Sequence, residues 1–348
     1  MAASIELGVV DQAVVRKGGT GAEALRDALA LARSAEAFGY THYWVAEHHS
    51  LGVASTSPEI LIGQIAAVTE RIRVGSGGVM LPHYSAFKIA ENFRMLESLF
   101  PGRIDIGLGR APGGDQRAAA ALAYPGGIRD VRLYPEQVDD LVAFLANEVP
   151  EGHPFAGLNA GPTPGRVPDI WLLGSGVDSA MIAADRGLAF SFAHFFGTAP
   201  EHAPAILEAY RKRFRPSARN AVPRTHLALQ VLCADSVEEA EYQAKSVAVG
   251  RLQSALGVRG EGSGVLPPEE AQDYPMSPQE RAFVQQFQRA HIVGDPTKVC
   301  EQIDAIARAC DTHEIGIVTI CYDFEARKHS YELVAQGLGV ARPGAQSA

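Results

Sequence analysis

Short apolar runs alternate with longer amphipathic stretches along most of the chain. The runs are rich in β-branched and aliphatic residues and lack a regular polar alternation, which is typical of strands buried on both faces of a parallel sheet. The stretches between them repeat apolar residues with a period near 3.6, as amphipathic helices do. Strands are predicted at 5–11, 42–48, 72–82, 103–110, 169–175, 188–195, 226–234 and 315–322.

Helix start and stop signals support the predicted alternation. Gly39 is placed to end a helix over 21–38, and Ser57 with Pro58 is placed to cap and start the next one. Ser236 and Glu239 have the spacing of a capping box. The remaining helices are predicted at 85–100, 130–148, 177–186, 200–214, 236–256, 277–290, 296–309 and 324–337.

The order of these elements predicts an α/β fold. Right-handed βα units repeated eight times close most naturally into a (β/α)8 TIM barrel with loop insertions at the C-terminal face of the strands. We expect one such domain over 1–340 and a tail at 341–348. A doubly wound open sheet is the alternative. It is disfavoured because no Gly-x-Gly-x-x-Gly follows the first strand.

Two connections are too long for ordinary βα loops, namely 111–128 and the Gly/Pro/Glu-rich segment that begins at 257. The insertion at 257–290 is a candidate mobile lid, although a disordered surface insert has a similar composition. We expect substrate contacts from both segments and from 194–196.

Composition and charge narrow the class of protein. The chain has 348 residues, 47% of them hydrophobic, and its net charge is −9 with no basic tract. Nucleic acid and anionic membranes are therefore not expected as partners. The first residues lack the features of a signal peptide, and no window reaches the roughly 18 apolar residues of a membrane span. We expect a cytoplasmic protein.

Neither the cysteines nor the histidines indicate a metal site. The four cysteines, at 233, 300, 310 and 321, show no CxxC spacing and are expected to be reduced thiols. His48 and His49 cannot both point inward from one strand, and no His-x-His occurs. A metallohydrolase is the weaker alternative.

In a barrel, the residues at the carboxyl ends of the strands line the active site. Arg110 can hold a phosphate through two hydrogen bonds, and 174–176 leads into a helix start, which is a common anion site. An ordinary βα turn is the alternative for 174–176. The full set of strand-end candidates is Asp11, Glu47, His48, His49, Gly77, Gly78, Arg110, Ser175, His194 and Tyr322.

Glycines interrupt the third predicted strand at 75, 77 and 78. Glycine within a strand marks a bulge or the close approach of another body to the backbone. A planar ligand that carries a phosphate would explain both the glycines and the anion site, so the pattern points to FMN.

Four ordered motifs resemble the bacterial-luciferase-like flavin monooxygenases, in particular their single-subunit branch. They are YWVAEHH at 43–49, RIRVGSGGVMLP at 71–82, AEN at 90–92 and PGRIDIGLGRAPG at 101–113. The resemblance is strongest over 40–115 and recurs at 173–191 and 193–196.

The resemblance implies a (β/α)8 barrel in which reduced FMN (FMNH2) reacts with O2, through a C4a-peroxyflavin, to oxidise a small organic substrate. It implies that His48 is catalytic and that a non-prolyl cis peptide joins Gly77 and Gly78. The cofactor-binding residues that it implies are Glu47, Ser76, Gly77, Gly78, Arg110, Gly174, Ser175, Gly176 and Ser179.

The resemblance also implies partners. A separate NAD(P)H:flavin reductase would supply FMNH2, because the chain has no nicotinamide fingerprint. A homodimer would use the second and third helices, where Phe87, Phe93 and Met95 supply apolar area unless they are core residues. The alternatives are hydride transfer with the deazaflavin F420 on the same barrel, and a flavin-binding protein without turnover.

Overall fold

The computed structural model describes residues 5–50, 52–195, 200–258 and 264–340. The strands are β1 Glu6–Asp11, β2 His42–Val45, β3 Arg73–Ser76, β4 Val79–Met80, β5 Ile104–Gly109, β6 Asp169–Gly174, β7 Ala189–Ala193, β8 Thr225–Cys233, β9 His291–Gly294 and β10 Glu314–Val318. The helices are α1 Gly21–Phe38, α2 Pro58–Val68, α3 Ala86–Leu99, α4 Gln116–Ala123, α5 Tyr134–Ala146, α6 Val177–Asp185, α7 Ala203–Arg213, α8 Val237–Ala255, α9 Pro268–Gln272, α10 Pro278–Gln288, α11 Pro296–Cys310 and α12 Phe324–Gly337.

The sheet closes on itself. Its strands are parallel and follow the order β10, β1, β2, β3, β5, β6, β7, β8, and the pairing of β8 with β10 closes the circle. Strand β4 prolongs the wall beyond β3 and pairs with β5. The predicted (β/α)8 TIM barrel is therefore confirmed, and the open doubly wound alternative is wrong.

Two features of the sheet differ from the prediction. The third predicted strand is divided into β3 and β4 by a cis peptide bond between Gly77 and Gly78, which confirms the position expected from the family. Strand β9 was not predicted. It pairs with the last residues of β8, Gln230–Cys233, while the earlier part of β8 pairs with β10.

The helix ends follow most of the local signals. Gly39 ends α1 with a φ of 96°, and the Ser236 hydroxyl accepts a hydrogen bond from the Glu239 backbone N–H at 3.2 Å. Pro58 is the first residue of α2 as predicted, but Ser57 makes no side-chain capping bond. The predicted capping of α2 by the Ser57 side chain is therefore wrong.

The glycines of β3 and β5 are explained by the approach of the two strands. A Cβ at Gly75 would lie 2.6 Å from the Cβ of Asp105, and one at Gly78 would lie 2.6 Å from the Gly107 carbonyl oxygen. A Cβ at Gly107 would in turn lie 2.2 Å from the Ser76 carbonyl oxygen. The body that lies against this strand is therefore the next strand, and these glycines need no ligand to account for them.

Charged side chains fill the amino-terminal end of the barrel interior. Arg73 forms ion pairs with Asp105 and, at 3.3 Å, with Asp169. Arg224 bridges Asp169 at 3.2 Å and Glu314 at 3.3 Å. These residues stand at or next to the starts of strands, so the open space of the barrel lies at the carboxyl end.

The described part of the insertion is packed against the barrel. Helices α9 and α10 contact α8, and the Val265 backbone N–H donates to the Val15 carbonyl at 2.9 Å. Lys17 pairs with Glu270, and Lys245 donates from Nζ to the Gln272 carbonyl at 3.0 Å. Residues 259–263 of the candidate lid and the predicted tail at 341–348 lie outside the described residues.

Candidate active site

A cavity of ≈ 540 Å³ opens at the carboxyl end of the barrel strands. This volume is within the range of about 300–1,000 Å³ that is typical of small-molecule sites. Its wall includes nine of the ten predicted site residues: Glu47, His48, Gly77, Gly78, Arg110, Gly174, Ser175, Gly176 and Ser179. Residues that are far apart in the chain thus meet at the carboxyl ends of the strands, around one cavity.

His48 presents a buried nitrogen that has no partner. Its backbone N–H donates to the Ser55 carbonyl at 3.0 Å, whereas its Nδ1 has no hydrogen-bond partner among the described residues. Burial lowers the pKa of His48, and the nearby Glu47 carboxylate opposes the shift only in part. The imidazole is therefore neutral near pH 7, with a nitrogen available to a ligand.

The side chain of Glu47 links the segments around His48 through hydrogen bonds. Its buried carboxylate accepts hydrogen bonds from the Met80 N–H at 2.8 Å and the Tyr84 hydroxyl at 2.7 Å, and it contacts His49 Nε2 at 2.7 Å. Burial and this carboxylate raise the pKa of Tyr84, which therefore remains a donor. The His49 N–H also donates to the Gly113 carbonyl at 2.7 Å. Glu47 and His49 thus position the cavity wall.

A second part of the cavity wall, formed by Arg110 and the start of α6, has the features of an anion site. Arg110 follows β5, and its Nη2 lies 3.5 Å from the Asp178 carboxylate in the first turn of α6. A Cβ at Gly174 would lie 2.5 Å from the Ser179 Cβ, so glycine allows the end of β6 to approach this helix. At Gly176, which caps α6, a Cβ would meet no atom within 4 Å. A guanidinium and a helix start therefore face an open space, with Asp178 as their anionic neighbour.

Ser76 and four strand-end candidates, namely Asp11, His49, His194 and Tyr322, do not line the cavity. The Ser76 hydroxyl donates to the Gly107 carbonyl at 2.9 Å and accepts from the Gly107 N–H at 3.0 Å, within the barrel wall. Asp11 lies under the helices, where it binds Arg327 at 2.6 Å and the Tyr43 hydroxyl at 2.6 Å. His194 and Tyr322 are also absent from the lining. The placement of these five side chains in the pocket was wrong because a strand end directs alternate residues to opposite faces.

Several lining residues were missed by sequence reasoning. Period two along the strands would have found them: Trp44 and Ala46 precede His48 at alternate positions, and Ser191 and Ala193 precede Phe195 in the same way. The other lining residues not singled out are Val10, Gln12, Met80, Leu173 and Ala228. None of the described residues at 264–290 reaches the lining, so the lid stays a prediction.

The cysteines do not line this cavity, and the described residues show neither a metal-binding cluster nor a membrane-spanning helix. All four cysteines are unpaired, and burial raises the pKa of Cys233 to about 12 and that of Cys321 to about 11. Across the described ranges, no group of three or more His, Cys, Asp or Glu is placed to hold a metal ion. None of the described helices is long and apolar enough to cross a bilayer.

Comparison with known proteins places the chain in a family. The family profile described as luciferase-like monooxygenase matches residues 5–313. A luciferase-like monooxygenase of Escherichia coli (strain K12) is 40% identical over 335 residues, covering 95% of this chain and 96% of the relative. The barrel, the strand-end cavity and these matches define an oxidoreductase of the monooxygenase type. The chain belongs to the luciferase-like monooxygenase family.

A second relative and one solved structure extend this result. An N-acetyl-S-alkylcysteine monooxygenase of Bacillus subtilis (strain 168) is 33% identical over 341 residues, covering 97% of this chain and 99% of the relative. The crystal structure of apo-MsnO8 has a TM-score of 0.87 at 34% identity and covers 97% of this chain and 100% of its own.

More distant structures share only the fold. The oxygenating constituent of 3,6-diketocamphane monooxygenase from Pseudomonas putida, in complex with FMN, has a TM-score of 0.69 at 18% identity and covers 96% of this chain and 98% of its own. An F420-dependent secondary alcohol dehydrogenase has the same TM-score of 0.69 at 13% identity and covers 97% of this chain and 99% of its own. The barrel therefore accompanies both cofactors.

Proposed function

We propose that this chain is a monooxygenase that uses reduced FMN and O2 to oxidise a small organic substrate. The observation that carries the proposal is the unpartnered, buried Nδ1 of His48 in a cavity whose wall also includes Arg110 and the start of α6. A neutral proton-handling group and an anion site in the wall of one cavity match a ligand that has a reactive ring and a phosphate.

The residues present fit FMN. Arg110, Ser175 and the first N–H groups of α6 would hold the phosphate, with Gly174, Gly176 and Ser179 shaping the helix start. Gly77, Gly78 and His48 lie along the wall available to the ring system. Among the predicted contacts, Ser76 would act only by supporting this wall through Gly107.

Each part of the site has a task in the reaction. Reduced FMN, when bound, supplies the electrons with which O2 is activated. Val10, Trp44 and Leu173 give the cavity apolar walls, which exclude water and strengthen the electrostatic interactions inside. His48 holds or moves a proton at Nδ1, and its lowered pKa keeps it able to accept one at neutral pH.

The partners follow from the cofactor. FMNH2 would come from a separate NAD(P)H:flavin reductase in the cytoplasm. We also propose a homodimer through α2 and α3, because Ile60, Met95 and Leu99 expose 68%, 50% and 65% of their surface there. Phe93, in contrast, is fully buried in the core, and Phe87 packs against the core, so neither supplies area to this contact.

The substrate is proposed to be small and without strong charge. Of the ionisable side chains in the cavity wall, Glu47 is engaged by Met80 and Tyr84, and Arg110 faces the phosphate end. The relative named for an N-acetyl-S-alkylcysteine suggests that sulfur compounds should be tested first.

The F420 alternative rests on a shared fold at 13% identity. The carboxylate of Asp178 beside Arg110 does not decide between the two cofactors, since the phosphate of either one would meet the same negative charge there. Parallel titrations of the purified protein with FMN, FMNH2 and F420 decide between them. Saturable binding of F420 alone would overturn the assignment of FMN.

Oxygen transfer is tested directly with ¹⁸O2. The protein, FMN and a flavin reductase are incubated with NADH and a panel of thioethers, aldehydes and alkanes, and products are analysed by mass spectrometry. We expect one ¹⁸O atom in a product that depends on the protein. Consumption of FMNH2 with release of hydrogen peroxide and no labelled product from any class would favour a flavin-binding protein without turnover.

A further inference from the structure

A buried serine–histidine pair lies at the floor of the cavity. Ser191 on β7 and His226 on β8 are register partners, and Ser191 Oγ lies 2.7 Å from His226 Nδ1. The two residues are 2% and 5% exposed. Ser191 belongs to the cavity wall, whereas His226 lies behind it.

The surroundings of His226 hold its ring in one place and one charge state. The ring centroid of Trp44 is 4.7 Å away, and a Cβ at Gly316 would lie 2.6 Å from His226 Cε1 and Nε2. Burial lowers the pKa of His226 to about 3, and the charges of His42 and Arg224 act in the same direction. The imidazole is therefore neutral at any pH at which the protein is used.

Packing alone does not account for this pair. Ala193 and Ala228 line the same side of the cavity, so a methyl group suits this wall. Burying a hydroxyl and an imidazole costs free energy unless both are hydrogen-bonded. A hydroxyl has one donor and two acceptor sites, and His226 uses one of the three. Because Ser191 lines the cavity, its remaining capacity is available to a ligand there.

We propose that Ser191, oriented by His226, forms a hydrogen bond with the ring system of FMN bound in the cavity. The inference rests on the proposed function. The neighbouring wall is built of Trp44, Ala193 and Ala228, so Ser191 is the polar point at which the carbonyls and nitrogens of such a ring find a partner on this side. Ser191 is then a cofactor-binding residue, and His226 is a positioning residue that acts through it.

The first experiment replaces Ser191→Ala and measures FMN binding by quenching of flavin fluorescence. Loss of one hydrogen bond to a neutral group should weaken the affinity for FMN by roughly threefold to tenfold. The visible absorption bands of bound FMN should also shift, because the polarity around the ring changes.

The matched control is Ser330→Ala. Ser330 is a buried serine of α12 whose hydroxyl accepts a hydrogen bond from the Cys233 N–H at 2.9 Å, and it does not line the cavity. This variant should lose stability while keeping the FMN affinity and spectrum of the parent protein. A general loss of stability is thereby separated from loss of a ligand contact.

A double-mutant cycle tests the role of His226. His226→Asn should weaken FMN binding when Ser191 is present and should have no further effect in the Ser191→Ala background. Should His226→Asn be too unstable to titrate, the pair Ser191→Ala and Ser330→Ala still decides the matter.

Two outcomes have distinct meanings. If the parent protein and Ser191→Ala bind FMN with the same affinity and the same spectrum, the inference is overturned and the proposed function stands. If the parent protein shows saturable binding of neither FMN nor FMNH2, the proposed function itself fails.

Discussion

At the scale of single residues, the chemistry of this protein depends on which way a side chain leaves its strand. Glu47, His48 and Arg110 were identified from their place at strand ends, and the structure puts all three at the cavity. Asp11 and Ser76 also stand at strand ends, but Asp11 points towards the helix layer and Ser76 points into the barrel wall. The type and spacing of residues could identify candidate site residues. Which side chains of a strand face the cavity depends on the register of that strand within the closed barrel, and one sequence does not reveal this register.

Replacing His48→Asn should remove the proton-handling group while keeping a polar side chain of similar size. We expect the rate of FMNH2-dependent product formation to fall by roughly 10²–10⁴-fold, the usual contribution of general acid–base catalysis. FMN affinity should change much less. The control is His329→Asn, because the His329 side chain is 44% exposed on α12. Equal rates in the two variants would contradict the role given to His48.

Replacing Arg110→Met should weaken binding of FMN by about 10- to 100-fold, because a charge-assisted hydrogen bond to phosphate is lost. Binding of riboflavin, which has no phosphate, should be unchanged. The control is Arg132→Met, since Arg132 is 87% exposed and pairs with Asp130. An equal loss for riboflavin and FMN would show that Arg110 supports the wall and does not hold the phosphate.

At the scale of elements, local signals predicted where helices and strands lie but not how strands meet. The bounds of α1 and α12 match the predictions residue for residue. Strand β9 is only His291–Gly294 and was missed, because a run of four residues next to a helix carries no clear periodicity. The glycines of the third strand were noticed, but the physical reason for Gly75 and Gly78 lies in β5, and a Cβ at Gly77 would lie 3.1 Å from the Cβ of Trp44 on β2.

The close approach of β3 and β5 can be tested with Gly75→Ala. The new Cβ would lie 2.6 Å from the Asp105 Cβ and 2.7 Å from its carbonyl oxygen. Overpacking of this kind should lower the free energy of unfolding by about 1–3 kcal/mol, as measured by urea denaturation. At Gly152 a Cβ would meet nothing within 4 Å, so Gly152→Ala should have little effect. Similar stabilities for both variants would refute this account of the glycines.

At the scale of the whole molecule, burial lowers the pKa of four of the described histidines, His48, His194, His226 and His291. Burial lowers the pKa of His226 to about 3 and that of His291 to about 4, whereas an unfolded chain protonates histidine near its usual value of 6.5. The unfolded state therefore binds more protons between these limits. Stability contributed by the neutral rings is complete above about pH 6.5 and is lost as the pH falls towards 3.

This linkage predicts acid sensitivity. For His226 alone, the free energy of unfolding should be about 2 kcal/mol lower at pH 5 than at pH 7.5. Urea denaturation of the parent protein and of His226→Asn at the two pH values isolates the contribution. The fall between pH 7.5 and pH 5 should be smaller in the variant by about that amount. A fall of equal size in both proteins would show that other groups dominate.

The ion pairs at the amino-terminal end of the barrel also determine how small molecules enter and leave the cavity. Because Arg73, Asp105, Asp169, Arg224 and Glu314 fill that end, the described structure leaves the carboxyl-terminal mouth as the route into the cavity. Arg110 stands at this mouth with 39% of its side chain exposed. A flavin bound there would narrow the passage through which substrate and product must move. This favours binding of the cofactor before the substrate and release of the product before the oxidised cofactor.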